Sequence, residues 1–307
     1  MDGSSQPLRG VSIEEYVSGL IQEGTRVVSG PAESYWLTTE MRCLERMPWW
    51  RLDEAPARDV DALLWRARSP AAAYGRHPDA SHPQNAVLYV CQDQNYAMDN
   101  LEHTARKNLK RALGELRFEF IEPHVLLEKG VVPYCDTRTR IGLSDGTPEL
   151  FRKRFERTTA NPARKIVGAW RGDVLAAFLS IIVVEDCVTT AAVGAATEYL
   201  SLRPNDGLIH FVLDYYLKRH HFRLVTAGPS SVQEDAKRDT MDRFKRKMGF
   251  EAWPIHRGFM LHPLLKPLAN RVTLSALRAC TRYWTSNRAL RKATGLLATY
   301  LAGKEPA

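Results

Sequence analysis

The 307-residue chain is long enough for about two domains, and its 44% hydrophobic and 25% charged residues are those of an ordinary globular protein, which excludes a disordered or low-complexity class. Its net charge of +8 is concentrated: residues 252–304 carry nine lysines and arginines and no Asp or Glu, which leaves −1 for the rest and excludes a uniformly basic nucleic-acid binder. Five scattered cysteines (Cys43, Cys91, Cys135, Cys187, Cys280) have no C-x-x-C spacing, which argues against a disulfide framework or a zinc site and for a reducing compartment.

Residues 12–65 read as helix, strand and short helix with aromatic anchors Tyr35, Trp36, Trp49, Trp50 and Trp65. The stretch SPAAAYGRHPDASHPQ (69–84) breaks periodicity and reads as a loop, and NAVLYVCQ (85–92) as a buried strand. Leu101, Ala105, Leu109, Ala112 and Leu116 recur at helical spacing, with Asn100 or Asp99 as the cap. RFEFIE then alternates as a strand, and a loop leads to a helix with Pro148 in its first turn. From 165 the texture becomes strand, Arg171-Gly172-Asp173 turn, strand (174–184) and a third strand, CVTTAAVGAAT (187–197). The loop EYLSLRPNDG enters the helix 208–220, and HFRLVTAG (221–228) is a strand. A second helix opens on a Ser231/Glu234 capping box, turns Val232, Ala236, Met241, Phe244 and Met248 to one face, and ends with Gly249 at C′. EAWPIHRGFML is the final strand.

The order strand, strand, strand, helix, strand, helix, strand over 165–261, with MGF closing the second helix, resembles the GNAT acyltransferase fold. Within that superfamily it is most similar to the FemAB-type branch. TARKNLKRA matches that branch's R-x-x-L-x-x-A helix through Arg106, Leu109 and Ala112, and SLRP…GL resembles its entry into the helix after the third strand. The resemblance covers about 90–261. It implies an α/β fold, a GNAT-type mixed twisted sheet flanked by helices, with a degenerate N-terminal GNAT-like half (1–150), a GNAT-like acyltransferase domain (151–265) and a basic amphipathic helical tail (266–307).

In such folds the acyl donor lies along the third strand, at a splay in the sheet, with its pyrophosphate at the start of the next helix, where unsatisfied N–H groups and the helix dipole favour an anion. The resemblance places the donor against Ala195, Ala196 and Thr197 and its phosphates at Arg203, Asn205, Gly207 and Leu208. The usual glycine-rich Q/R-x-x-G-x-G/A run is missing: RPNDGL has one glycine and adds Asp206, which repels phosphate unless it is the N-cap. The competing readings are a turn that only caps the helix and a small-residue strand built for tight packing.

Amide formation needs a base for the attacking amine and a group that stabilises the oxyanion or the leaving group. Glu198 and Tyr199, at the end of the third strand, are the candidates for base and for positioning or acid, with Glu185 and Asp186 behind them. His210, His220 and His221 read as packed, exposed or helix-ending. In FKRKMGF the position where many GNAT enzymes carry a proton-donating tyrosine is Lys245. With an ordinary pKa of about 10.4, a lysine serves there as a cation against an oxyanion, a phosphate or a leaving ribose oxygen. Its bland alternative is one exposed lysine among Lys237, Arg238, Arg243, Arg246 and Lys247. Arg106 and Lys110 share a helix face and are candidate phosphate or nucleotide contacts.

The expected function is an amide-forming acyltransferase with a thioester donor such as acyl-CoA and an amine-bearing small-molecule, peptide or glycan acceptor. An aminoacyl-tRNA-dependent transferase is the alternative, and a non-catalytic GNAT-like adaptor for membrane or RNA a further one. No metal is expected. The tail reads as a docking helix, as a helix on an anionic membrane, or as a rest for tRNA or an acyl-carrier protein. The first residues lack a signal-peptide layout, and the longest apolar run (174–184) falls short of the roughly 20 residues that cross a bilayer. A cytoplasmic protein is expected, peripheral at the inner membrane face if the tail anchors it.

Overall fold

A computed structural model describes residues 9–30, 34–39, 42–53, 55–143, 146–230, 236–284 and 287–302. In chain order its first elements are α1 (Ile13–Gln22), β1 (Val27–Ser29), β2 (Tyr35–Thr38), β3 (Leu44–Met47), α2 (Ala57–Ala67), β4 (Ala71–Arg76), β5 (Ala86–Cys91) and α3 (His103–Glu115). The middle holds β6 (Arg117–Phe120), α4 (Pro123–Lys129), α5 (Val131–Arg140), α6 (Pro148–Thr158), β7 (Arg164–Arg171), β8 (Val174–Val184) and β9 (Cys187–Ala195). Then follow α7 (Pro204–Leu213), β10 (Leu224–Pro229), α8 (Ala236–Lys247), β11 (Glu251–Leu261), α9 (Arg271–Tyr283) and α10 (Arg288–Ala302). This mixed sheet flanked by helices is the α/β class expected.

The chain forms two compact units of interleaved segments. One comprises Met1–Gly24, Tyr89–Gly228 and Asp239–Ala252; the other comprises Thr25–Leu88, Pro229–Arg238 and Trp253–Ala307. Cuts at 150 and 265 therefore do not separate them, because non-local strand pairing, not chain proximity, builds each unit.

In the first unit the strand order is β10-β9-β8-β7-β6, with β9 and β10 parallel and the other pairs antiparallel. Every residue of β8 after Val174 is buried, as a strand covered on both faces must be. On one face Tyr134, Phe151, Phe155 and Phe178 form a cluster of tilted and edge-to-face rings that seats α5 and α6 against the sheet. Fully buried rings such as Phe151 and Phe178 each contribute about 2–3 kcal/mol from apolar burial. On the opposite face Phe120 meets Phe211, Tyr215 and Tyr216, which fixes α7 and its π-helical continuation Asp214–Arg219.

In the second unit the order is β1-β2-β3-β4-β11, with α2 packed through Val60, Leu63 and Leu64 on Trp36, Leu44 and Ala72. The tail folds as a helical pair: Leu274, Leu297 and Tyr300 are buried with Phe259 and Leu261 of β11. The docking reading of the tail thus describes its inner face.

Several local expectations change. Residues 12–65 hold three strands, each too short to show alternation and held by register with its neighbours. The loop expected over 69–84 contains β4, whose Ala-rich AAAYGR is a strand because β3 and β11 pair with it from both sides. The loop after β6 holds α4, with Pro123 at its first turn, and α5, with Gly130 between them. Glu102, not Asn100 or Asp99, is the N-cap of α3, and Met98–Asn100 forms a 3-10 turn. The helix expected from 208 begins at Pro204, after a 3-10 turn at Thr197–Leu202. The Ser231/Glu234 capping box and Val232 lie outside the described residues.

Candidate active site

The first unit's sheet splits along β9. β10 pairs with β9 only over Cys187–Thr189, while β8 stays paired to it as far as Ala195. Between the partners Ser180↔Ala192 and Ile181↔Thr190 one extra residue, Ala191, bulges from β9 and turns it further from β10. Beyond the split Ala191 and Val193 are exposed, so β9 offers a small apolar floor. Gly194 is glycine for the core: a Cβ there would overlap the Phe178 ring.

The end of this strand is engaged by α5. Ala196 N–H bonds Ala176 O of β8, so the alternate residue Ala195 directs its own N–H and C=O away from β8. Both are taken by Thr137, whose hydroxyl accepts from Ala195 N at 2.9 Å and donates to Ala195 O at 3.2 Å. Asp136 accepts from Thr197 N at 2.8 Å, and the exposed Arg140 donates to Thr197 Oγ1 at 3.0 Å. Glu198 is exposed at the start of the 3-10 turn, next to this arginine-held threonine, and Tyr199 is half-buried behind it. Asp136, Thr137 and Arg140 are not legible as site residues from sequence, because their segment reads as a loop; the apolar VLL and VV flanking Gly130 are the available signal.

The start of α7 is closed to an anion. Of its first N–H groups, Arg203 donates to Leu200 O, Pro204 has none, and Asp206 donates back to Arg203 O, which leaves Asn205 alone. Asp206 is the third helical residue, not the N-cap; Arg203, at φ 62°, is. The Asp206 carboxylate is buried, 2.5 Å from Lys247 Nζ, and accepts from Asn108 Nδ2 at 3.1 Å. A carboxylate at this position satisfies the helix dipole as a phosphate would. Gly207 leaves room for the Phe118 ring rather than for a ligand, and Leu208 is fully buried. Coenzyme A, the donor that the fold suggests, finds neither a free strand edge at Ala195 nor a free helix start here. The residues present do not fit its pyrophosphate.

α8 ends beside this point in a Schellman motif: Phe250 N bonds Lys245 O at 3.2 Å and Gly249 N bonds Arg246 O at 3.0 Å, with Gly249 at φ 92°. Lys245 is half-buried, its Nζ 4.4 Å from the centroid of the Tyr89 ring. Burial holds its ammonium below the usual lysine range, against an opposing pull from Asp242. The Tyr89 hydroxyl is pushed up by burial and paired with Asp242 and Arg246. So Lys245 and Lys247 divide the last turn of α8, one on an aromatic ring and one on a buried carboxylate. Among the described residues no hydrogen bond or ion pair joins Lys245 to Glu198 or Tyr199. Arg106 is half-buried and Lys110 exposed on α3, which packs against both the 197–202 turn and α7.

Nearly two turns into α7, His210 Nδ1 lies 3.2 Å from the Tyr96 hydroxyl. Burial raises the Tyr96 pKa and likewise lowers the His210 pKa, so the pair is a protonated hydroxyl against a neutral imidazole. The unfolded chain therefore binds the His210 proton first, and stability falls as pH drops from about 6.5 toward the folded-state value. In urea titrations from pH 7.5 to 5, His210→Gln is expected to flatten this acid-side loss.

No family model matches the chain, and no curated protein matches it. Among solved structures it is similar to FemX, at 9% identity over 83% of this chain and 93% of that one, with a TM-score of 0.55. It is also similar to L-PGS from Bacillus licheniformis, at 10% identity over 97% and 99% with a TM-score of 0.53. The chain has the GNAT fold. A third such structure is the C-terminal domain of a putative lysylphosphatidylglycerol synthetase from Agrobacterium fabrum, with 14% identity over 79% and 86% and a TM-score of 0.51. In GNAT-fold terms β9 is the splayed strand, α7 the helix that follows it and α8 the closing helix. Among the described residues no group of three His, Cys, Asp or Glu is placed to hold a metal, and no helix is long and apolar enough to cross a membrane.

Proposed function

We propose that the chain is an amide-forming aminoacyl transferase whose donor is an aminoacyl ester such as aminoacyl-tRNA. The observation that carries this reading is the Asp206–Lys247 ion pair at the start of α7, where a thioester donor would rest its pyrophosphate. It reverses the order of donors that superfamily frequency alone suggests. The similarity to FemX and to a domain named for a lysyl-lipid synthetase supports the same choice.

In this reading the acceptor nitrogen attacks the ester carbonyl carbon, a C–N bond forms, and the C–O bond to the ribose breaks. Glu198, exposed and next to the end of β9, takes the amine proton and passes it to the departing ribose oxygen, which leaves as the hydroxyl, and Tyr199 positions the acceptor. Arg140 and Lys245 supply the cations for the oxyanion and the departing ribose oxygen. Lys245 suits this role because its ammonium is already partly desolvated on Tyr89. Arg106 and Lys110 on α3 meet the phosphates of the nucleic-acid donor.

Two titrations test the donor. Charged tRNA is expected to bind with an affinity that falls steeply with salt, and to lose its aminoacyl group when an amine is added. Acetyl-CoA is expected to give no binding tighter than about 1 mM. Micromolar acetyl-CoA binding, or charged tRNA left intact with every amine tried, overturns the reading.

A further inference from the structure

The outer face of the C-terminal helices carries a feature that acyl transfer does not use. Leu264, Leu268, Val272, Tyr283 and Trp284 are 61–86% exposed, although α9 has already buried its inner face through Leu274 and Leu277. Val272 and Tyr283 lie on one stripe of α9 with the exposed Ala276 and Ala279 between them. Beside it runs a second stripe, Arg271, Arg278 and Arg282, and no Asp or Glu occurs anywhere from 252 to 304. α9 is thus amphipathic twice, once toward β11 and once toward solvent.

The chemistry of that outer face selects one partner. Exposed leucine and valine gain nothing from stacking on bases, which is what RNA would offer. They gain by entering the boundary between headgroups and acyl chains, where Trp and Tyr also concentrate. Adjacent arginines then meet anionic headgroups with no acidic residue in their own segment, and Asp61, which α2 brings to the turn, is paired with Lys266 at 3.0 Å.

We propose that the face formed by the 264–268 turn and the outer stripes of α9 docks this protein on an anionic lipid bilayer. The proposal does not rest on the choice of acyl donor.

Flotation of the full-length protein with phosphatidylcholine vesicles, with and without about one third phosphatidylglycerol, tests it. Enrichment of at least about tenfold on the anionic vesicles is expected, and it should weaken as salt rises. V272D/Y283D is expected to return binding to the zwitterionic background, with far-UV circular dichroism and melting unchanged because both sites are exposed. R278E/R282E gives an independent second reading with the apolar stripe intact. Equal flotation on the two vesicle types, or wild-type flotation by both variants, overturns the proposal. So does binding of uncharged tRNA that both variants abolish while vesicles are ignored, which would assign the face to RNA.

Discussion

Replacing Lys247 with methionine is expected to lower stability by about 3 kcal/mol, read as a drop in the urea midpoint with unchanged slope. Its ammonium is 2.5 Å from an Asp206 carboxylate that is 7% exposed, so the substitution strands a buried charge. The effect sits at the lower end of the range for such pairs because Lys247 keeps 17% exposure and Asn108 still donates to the carboxylate. Combining it with Asp206→Leu is expected to recover most of the loss, since removing both charges also removes both desolvation penalties. A single variant that melts like wild type would show that the pair is solvated. That result would reopen the start of α7 to a phosphate and with it the case for coenzyme A.

Glu198→Gln is expected to reduce kcat/KM by roughly 10²- to 10⁴-fold, the usual contribution of a positioned general base. Because Glu198 is exposed, stability should not change. The signature that separates a base from a binding group is a loss carried by kcat with KM little changed. Lys245→Ala should cost about 10²- to 10³-fold, as expected for a cation that only stabilises charge. If Glu198→Gln turns over like wild type with the true donor, the end of β9 does not hold the base.

The closing helix shows how far residue order reaches. FKRKMGF announces a helix end through Gly249, and the Schellman bonds follow from that glycine's freedom to adopt φ 92°. Nothing in the string distinguishes Lys245 from Lys247. Only the neighbours brought by the fold, Tyr89 from β5 and Asp206 from α7, give the two lysines different environments. The segment 123–143 shows the reverse failure. Its apolar residues are too few per turn to register as helix, yet Tyr134 completes an aromatic cluster from α6 and β8, and Thr137 and Arg140 are thereby carried to the end of β9.

The sequence by itself determined the order of strands and helices over 165–261, the helical tail and its lack of acidic residues, because these follow from local periodicity and composition. Tertiary structure alone decided that α7 begins on a buried, paired Asp206, that Ala195 is engaged by Thr137, and that α9 keeps a second apolar face. Each depends on which distant side chain arrives to satisfy a buried charge, a strand edge or an apolar stripe. A chain of residues fixes its own φ, ψ preferences, but burial and pairing are properties of neighbours that only the folded structure supplies.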